Sequence, residues 1–503
     1  MKRVFALFLS CLLLVGMTAG CGGSQNDESG EERTFRIASA YDLSGMYPYK
    51  MQATQADGLF GSLIYDTLVR ISGEDRHVEM DLAESYEYNE DNTELTFHLR
   101  KGVKFHNGTE LKASDVVFSY EHFAAENNTG PFTGVTGVRA DDDYTVVFEL
   151  DFPYSATVPN EVQMFCIISE AYYNEVGPEG YAENPVGTGP YKFVSWEKNV
   201  SVQLEAFEDN YMGAPDIKKV EVIFMTDASA RSNALEAGDV DYAEIASASI
   251  SIFQDNPDFT MHTVETPSCN GPLFNMSVPE FQDVRVRQAI AYAIDRDQMV
   301  AAVYPDGGAA ATSIWVPRMV VGYTEDVPQY TYDLEKAKAL MKEAGYEDGF
   351  DAGQITCNSL GAKPAQVLQA SLEKIGITTT IQTLETATYY DSLFKKNYTI
   401  AFMNFGPEVA HIAYTSKIFS TTGELNFMGY SNPELDALYD QLLGETDEQK
   451  VNELSQQIGT IIQEEAAWIK CFSRDDVSVI SSDLEGFENV DVGLNMYTLK
   501  WKE

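Results

Sequence analysis

Side chains suited to catalysis or metal binding are present in this sequence, but they form no familiar catalytic pattern. The chain of 503 residues has no His-Glu-x-x-His, Gly-x-Ser-x-Gly or Gly-x-x-x-x-Gly-Lys-Ser/Thr stretch. Its histidines lie at positions 77, 98, 106, 122, 262 and 411, and no two share the spacing of metal ligands on a helix. Asp and Glu total 78, so carboxylates close in sequence are expected by chance. A secreted hydrolase with groups from distant segments remains the enzyme alternative.

The cysteines that follow position 21 favour burial over metal or redox chemistry. None of them forms a Cys-x-x-Cys pair. A small hydrophobic role in the core is the default for such residues. One or two disulfides in an oxidising compartment are the alternative that the sequence leaves open. The residues are Cys166, Cys269, Cys357 and Cys471.

The amino terminus has the features of an export signal. Lys2 and Arg3 precede a short apolar stretch at residues 4–16, and small residues then lead into Cys21. Crossing a bilayer takes about 20 helical residues, so this stretch fits a secretory signal better than a membrane span. The segment 1–20 resembles a bacterial lipoprotein signal peptide, which implies a lipid on Cys21 that anchors the protein to the membrane. Ordinary secretion without the lipid is the alternative.

Composition narrows the range of partners. Hydrophobic residues make up 44% and aromatic residues 12% of the chain, which is ample material for a core. The formal net charge of −44 repels phosphate backbones and anionic lipid heads, so nucleic acid is not an expected partner. Attachment to a membrane therefore has to come from the lipid. Residues 21–33 are polar and rich in Gly, Ser and charge, which predicts a flexible tether.

Several segments predict the elements that would position a site. Residues 34–41, 93–99 and 144–150 alternate apolar and polar side chains as strands do. Residues 114–125 have the spacing of a helix with one apolar side. No run of 18 or more apolar residues follows the signal.

The segment from residue 332 onward predicts a crossover unit. Asp333 is suited to cap a helix that Gly345 ends, and a strand is expected at 354–358. A second helix should end at Gly376, followed by a β-branched, alternating strand at 377–384. Strand, helix and strand in this order predict a right-handed crossover in a mostly parallel sheet. Such sheets bind ligands beyond the carboxyl ends of their strands.

Six stretches, in the same order, resemble the family 5 solute-binding proteins, which serve peptide and nickel ABC importers. The longest is LAESYEYNEDNTELTFHLRKGVKFHNGTELKASDVVF at residues 82–118. The others are PVGTGPY (185–191), LEAGDVD (235–241), FNMSVPEFQDVRVRQAIAYAIDR (274–296), YDLEKAKALMKEAGY (332–346) and YSNPELDAL (430–438). The similarity extends from Phe35 to Phe487.

The resemblance implies an α/β, periplasmic-binding-protein-like fold of the class II type with three lobes around a cleft. The implied lobes are lobe I (34–60, 186–265 and 471–503), an inserted lobe II (61–185) and a closing lobe III (266–470). The chain would cross between lobes I and III twice, near 264–272 and 468–474, and these crossings would form the hinge. A ligand that contacts both lobes would shift the balance toward the closed form, which the permease recognises.

The resemblance also implies partners and location. The protein would be a monomer outside the cytoplasm, with no enzyme activity and no cofactor. It would capture a small, peptide-like solute and pass it to the transmembrane subunits of an ABC permease. The lipid on Cys21 would hold it at the membrane.

Candidate ligand-binding residues follow from the same resemblance. Peptide binders of the family hold the ligand amine with a carboxylate three residues after an aromatic residue, in a loop after a strand. Residues 399–405 read as that strand, and Phe405, Gly406 and Glu408 occupy the corresponding positions. Tyr41, next to the first strand, is a candidate for stacking on the ligand.

Three further candidates bear on the kind of solute. Dipeptide binders of the family carry an Arg and a Tyr near the strand at 354–358, where they hold the carboxylate of the ligand, whereas this chain has Ile355 and Cys357 there. Longer peptides, or ligands without a free carboxylate, are therefore expected. Cys357 and the following Asn358 are candidate ligand contacts. His411 matches a histidine of the nickel binders, so a nickel or metallophore ligand at His411 is one alternative. An oligosaccharide is another.

Overall fold

The computed structural model describes residues 33–51, 55–72, 77–126, 132, 134–151, 162, 165–266, 268–405, 411–488 and 494–503. The strands are β1 Thr34–Ser39, β2 Val69–Ser72, β3 His77–Met80, β4 Ala83–Tyr88, β5 Glu94–Leu99, β6 Val135–Asp142, β7 Thr145–Leu150, β8 Tyr191–Glu197, β9 Ser201–Ala206, β10 Lys219–Phe224, β11 Tyr242–Glu244, β12 Phe259–Glu265, β13 Cys269–Phe274, β14 Ala309–Ala311, β15 Phe350–Cys357, β16 Ile377–Thr383, β17 Ile400–Phe405, β18 Phe472–Ser481, β19 Leu484–Glu485 and β20 Lys500–Trp501. The α-helices are α1 Gln55–Ile64, α2 Ala113–Glu126, α3 Glu170–Glu183, α4 Ala228–Ala237, α5 Ile250–Phe253, α6 Pro279–Gln282, α7 Val284–Ala293, α8 Arg296–Val303, α9 Leu334–Glu343, α10 Ala362–Glu373, α11 Thr386–Phe394, α12 Ser416–Phe419, α13 Pro433–Leu443 and α14 Glu448–Glu465.

Most strands belong to one 12-stranded sheet with two parts. Its main path is β16-β15-β17-β13-β18-β11-β1-β10-β9-β8, while β12 and β14 pair with β18 beside that path. We call β1 and β8 to β12 the first half-sheet, and β13 to β17 the second half-sheet. Each has a parallel core, because β1 pairs in parallel with β10 and β11, and β15 pairs in parallel with β16 and β17. The predicted mixed α/β architecture is confirmed.

The crossover unit predicted from residue 332 onward is confirmed in detail. The Asp333 side chain accepts a hydrogen bond from Lys336 N and caps α9. Gly345 follows that helix with a φ of 87°, a conformation that favours glycine. β15, α10 and β16 then follow in order, with β15 and β16 parallel. β15 begins at Phe350, earlier than predicted, because Phe350 and Asp351 also pair with β16 ahead of an irregularity between Asp351 and Gln354.

A separate antiparallel sheet has the order β4-β5-β7-β6. The strands predicted at 93–99 and 144–150 are β5 and β7, and the helix predicted at 114–125 is α2, which contacts this sheet. Leu95 and Phe97 of β5 are fully buried, as the alternating pattern requires.

The turn at 187–190 fixes this antiparallel sheet to the first half-sheet. A side chain on Gly187 would overlap the carbonyl oxygen of Ile64, so only glycine fits this close approach. His106 holds the turn, because its Nδ1 accepts from Gly187 N (3.3 Å) and its Nε2 bonds to Gly189 O (3.0 Å). The turn is architectural, as its Gly-Thr-Gly-Pro sequence predicts.

Hydrophobic clusters cover both faces of the second half-sheet. Trp468 belongs to the cluster on one face, and Ile469 to the cluster on the other. The four described cysteines are free thiols, and Cys269, Cys357 and Cys471 are buried. Among the helices of the described residues, none has the length and apolar character needed to cross a membrane.

Candidate functional site

The two half-sheets are joined by two adjacent chain segments. β12 ends at Glu265 in the first half-sheet, and β13 starts at Cys269 in the second. β18 runs beside this passage: it pairs with β13 and β14 near its start and with β11 and β12 further along. In the register, Asn270 lies opposite Phe472 and Glu265 opposite Asp475. This is the predicted double crossing.

Both parallel cores point their carboxyl ends toward this crossing. β11 ends where Ile245 N donates to Val477 O (3.0 Å), in the part of β18 close to the crossing. β17 ends at Phe405, which lies opposite Cys269 at the start of β13. Ligands of open α/β sheets bind beyond such carboxyl ends. The region between these two sets of ends, which we call the cleft, is therefore the candidate site.

Tyr41 lies on the first rim of this cleft. Its side chain is 55% exposed, so the ring is accessible to a ligand. The backbone beneath it is fixed, since Ser39 Oγ donates to Tyr41 O (3.0 Å) and Met225 N donates to Ser39 O (2.7 Å). Arg231 ties the neighbouring strand ends together by donating to Met225 O (2.7 Å) and Glu244 O (3.0 Å).

Phe405 lies on the second rim. Its half-buried ring stacks on Tyr414 with centroids 6.5 Å apart, and lies 5.7 Å from the ring of Trp468. This packing fixes an aromatic surface at the end of β17. Gly406 and Glu408 follow directly but lie outside the described residues, so their predicted contacts with the ligand stay predictions.

Cys357 and Asn358 take part in local structure at the end of β15. Cys357 has no exposed surface, its Sγ lies 3.7 Å from Thr383 Oγ1, and burial raises the pKa of its thiol. Asn358 Oδ1 accepts from Gly361 N (3.1 Å) immediately before α10. In this arrangement Cys357 offers no surface to a ligand, and Asn358 is only partly accessible.

His411 is a buried, uncharged side chain. It is 3% exposed, and burial lowers its pKa to about 4. Ala413 N donates to its Nδ1 (3.1 Å), which places the proton on Nε2. Within the described ranges, Nε2 has no hydrogen-bond partner, and no group of three or more His, Cys, Asp or Glu side chains is arranged to hold a metal ion. The described residues therefore supply no set of metal ligands around His411.

A family profile described as "Bacterial extracellular solute-binding proteins, family 5 Middle" matches residues 77–426. The chain belongs to this family. Members are extracellular binding proteins of transport systems rather than enzymes, and the resemblance in the sequence is confirmed.

Named relatives of this family 5 protein bind different solutes. The chain is 32% identical to the dipeptide-binding protein of Escherichia coli (strain K12) over 362 aligned residues. This alignment covers 65% of this chain and 67% of the relative. The chain is 27% identical over 508 residues to heme-binding protein A of Haemophilus influenzae, covering 93% and 92%. The solved structure of HbpA2 from Haemophilus parasuis superposes with a TM-score of 0.86 at 26% identity, covering 94% of this chain and 100% of that one.

A buried cation, Lys470, lies beside β13 near the crossing and was not among the residues predicted from the sequence. Lys470 lies between Ile469 and Cys471, whose N–H groups donate to Pro272 O (2.9 Å) and Asn270 O (2.8 Å) of β13. Side chains alternate along such a segment, so Lys470 shares the face of Trp468. The sequence could have indicated Lys470 as a buried charge, because it is the single charged residue in the otherwise apolar stretch at 466–472.

Proposed function

We propose that this protein captures peptide-like solutes outside the cell and passes them to the permease of an ABC importer. The observation that carries the proposal is the pair of parallel cores whose carboxyl ends face one cleft across a double crossing. The dipeptide-binding relative supports a peptide as the solute. A protein can bind a peptide through hydrogen bonds to the peptide backbone without contacts that select particular side chains. Such binding suits a transport protein that accepts peptides of many sequences.

Capture works by closure in this proposal. Lobe boundaries at 60/61, 185/186, 265/266 and 470/471 make lobes I and III the two rigid bodies on either side of the crossing. A ligand that contacts Tyr41 on one rim and Phe405 on the other stabilises the closed form. Shifting the population from 1:99 to 99:1 takes about 5.5 kcal/mol of differential binding, which a buried peptide can supply.

Glu408 provides the proposed contact with the peptide amine. It follows the aromatic surface of Phe405 by three residues. An ammonium is a suitable partner for a carboxylate that closure would remove from water.

The lipid on Cys21 anchors the protein in this proposal, with 1–20 removed as the signal and 21–33 serving as the tether. A monomer on a flexible tether can reach the transmembrane subunits of its permease. The tether also keeps the strongly negative protein surface away from the anionic lipid headgroups, which repel it.

Mass spectrometry of the mature protein, extracted from membranes, tests this function. We expect a lipid-modified Cys21 at the new amino terminus and a retained mixture of short peptides. Glu408→Ala should weaken peptide binding in calorimetry by about 10- to 100-fold, because a charge-assisted hydrogen bond is lost. Glu434→Ala, which removes an exposed acid from α13, is the matched control and should bind normally.

Other retained solutes would contradict the proposal. A haem absorbance spectrum would do so, as would nickel that His411→Ala abolishes, or a bound oligosaccharide. Chemical turnover of any retained solute would place the protein among enzymes instead.

A further inference from the structure

Lys470 is a buried cation with no partner among the described residues. Its side chain is 1% exposed, and it takes part in no hydrogen bond or ion pair with that part of the chain. The other buried cations there are bonded to backbone carbonyls; they are Arg231, Arg287 and Arg296. A buried ammonium without a partner is unfavourable by several kcal/mol, so a bound anion would stabilise Lys470.

The position of Lys470 connects it to the cleft. On its face of the second half-sheet, Cys269 is the neighbour on β13, and Phe405 lies next to Cys269 on β17. Strands are spaced about 4.8 Å apart, which puts the Lys470 backbone roughly 10 Å from the rim at Phe405. A lysine side chain, with its four-carbon stem, can extend across much of that interval.

A second unsatisfied donor lies on the same face. Trp468 Nε1 is buried and has no acceptor within the described ranges. The Trp468 ring packs against Phe405 of the second rim. Two donors without acceptors are complementary to a group that only accepts, such as a carboxylate.

Electrostatics explains why a carboxylate would need this cation. With a formal net charge of −44, the protein repels anionic groups on average. The charge of Glu265 acts on Lys470, but the two side chains form no ion pair within the described residues. Burial lowers the pKa of the Lys470 ammonium. An anion bound beside it would raise that pKa again, because an opposite charge favours the protonated form.

We propose that Lys470 binds a carboxylate of the captured peptide at the floor of the cleft, with Trp468 Nε1 as a second donor. The proposal rests on the proposed peptide function and names the solute class more narrowly: peptides that present a free carboxylate near the crossing. It revises the expectation of ligands without a free carboxylate, which took account only of the positions around Cys357.

Calorimetry with three tripeptide probes tests the subsite: Ala-Ala-Ala, its carboxyl-terminal amide, and Ala-Asp-Ala amide. Wild-type protein should bind Ala-Ala-Ala about 10- to 100-fold more tightly than its amide, the effect of one charge-assisted hydrogen bond. Tight binding of the Asp-containing amide would instead assign the carboxylate to a side chain. Lys470→Met should bind all three alike, and Lys470→Arg should keep part of the preference.

Controls separate the subsite from other roles of Lys470. Lys342→Met removes an exposed lysine of α9 and should leave every affinity unchanged. Thermal unfolding verifies that Lys470→Met folds. If Lys470→Met weakened the binding of Ala-Ala-Ala and of its amide equally, the proposal would be overturned. Lys470 would then act on lobe closure, for example through the charge of Glu265, and not on the ligand carboxylate. No preference in the wild type would overturn it as well.

An acetate titration separates this proposal from the peptide function. In protein with ¹⁵N-labelled tryptophan, the Trp468 indole signal, assigned with Trp468→Phe, should shift on addition of acetate in wild type and not in Lys470→Met. If no tripeptide binds but this shift occurs, the peptide function fails and the carboxylate site stands. If tripeptides bind and acetate causes no shift that depends on Lys470, the carboxylate site fails alone.

Discussion

At the scale of single residues, burial keeps His106 uncharged. Its two ring nitrogens bond to Gly187 and Gly189 of the turn, and burial lowers its pKa to about 4. The same side chain in the unfolded chain has a pKa near 6.5. Between these values the unfolded state binds a proton that the folded state does not, so stability is complete above about pH 6.5 and declines as the pH falls toward 4.

This difference predicts acid sensitivity that one substitution reduces. His106→Gln keeps an acceptor and a donor for the turn but cannot take up the proton. Urea unfolding at pH 7.5 and 4.5 should show a smaller loss of unfolding free energy for His106→Gln than for wild type, by up to about 3 kcal/mol. His98→Gln, whose side chain is 44% exposed, should follow the wild type. Parallel profiles for wild type and His106→Gln would refute this account.

At the scale of elements, the crossing depends on a close approach of two segments. Gly271 of β13 faces the backbone of Ile469, and a Cβ at Gly271 would overlap the carbonyl oxygen of Ile469. The segment at 468–472 would have to separate from β13, which would break bonds such as the one from Ile469 N to Pro272 O (2.9 Å). The crossing strands thus keep their register only with glycine at position 271.

Gly271→Ala should therefore lower the thermal midpoint of unfolding, with a loss of about 2 kcal/mol or more from the displaced strand pair. Differential scanning calorimetry measures the shift. Gly61→Ala is the matched control, because nothing lies within 4 Å of a Cβ at Gly61 in α1. There alanine should stabilise the helix by up to about 1 kcal/mol. A neutral Gly271→Ala would mean that the two segments are not in close contact.

At the scale of the whole molecule, the proposed function needs two bodies that move on the double crossing. The cleft has exposed groups such as Tyr41 on its rim, and closure would bury them against the opposite rim. One contact between distant parts of the chain is the bond from Asn92 Nδ2 to Thr446 Oγ1 (3.2 Å). Hinge motion of this kind needs changes of φ and ψ in only a few residues, here those of the crossing.

Small-angle X-ray scattering should therefore report a smaller radius of gyration when the mature protein is saturated with a bound peptide. Glu408→Ala at the same peptide concentration should keep the profile of the free protein. Identical profiles for free and saturated wild type, with binding verified by calorimetry, would mean that capture occurs without closure.

The sequence by itself determined the local elements and the family. The caps at Asp333 and Gly345 and the periodicity of α9, β15, α10 and β16 gave the crossover unit, because these signals depend on neighbours a few residues apart. The matched stretches gave the double crossing. The sequence also indicated that Phe405 would pack against other side chains, because it is an aromatic residue at the end of a predicted strand. It did not indicate that these side chains are Tyr414 and Trp468.

Tertiary structure alone decided which side chains face the cleft. Cys357, a predicted ligand contact, is instead enclosed by β16 and α10. Lys470, which was not among the residues predicted from the sequence, is buried near the crossing without a partner among the described residues. Periodicity indicates that a position is buried, but whether a buried charge finds a partner depends on strands far apart in the chain. Asn270 and Phe472 meet across about 200 residues, and that pairing places Lys470 where no carbonyl or carboxylate of the described chain reaches it.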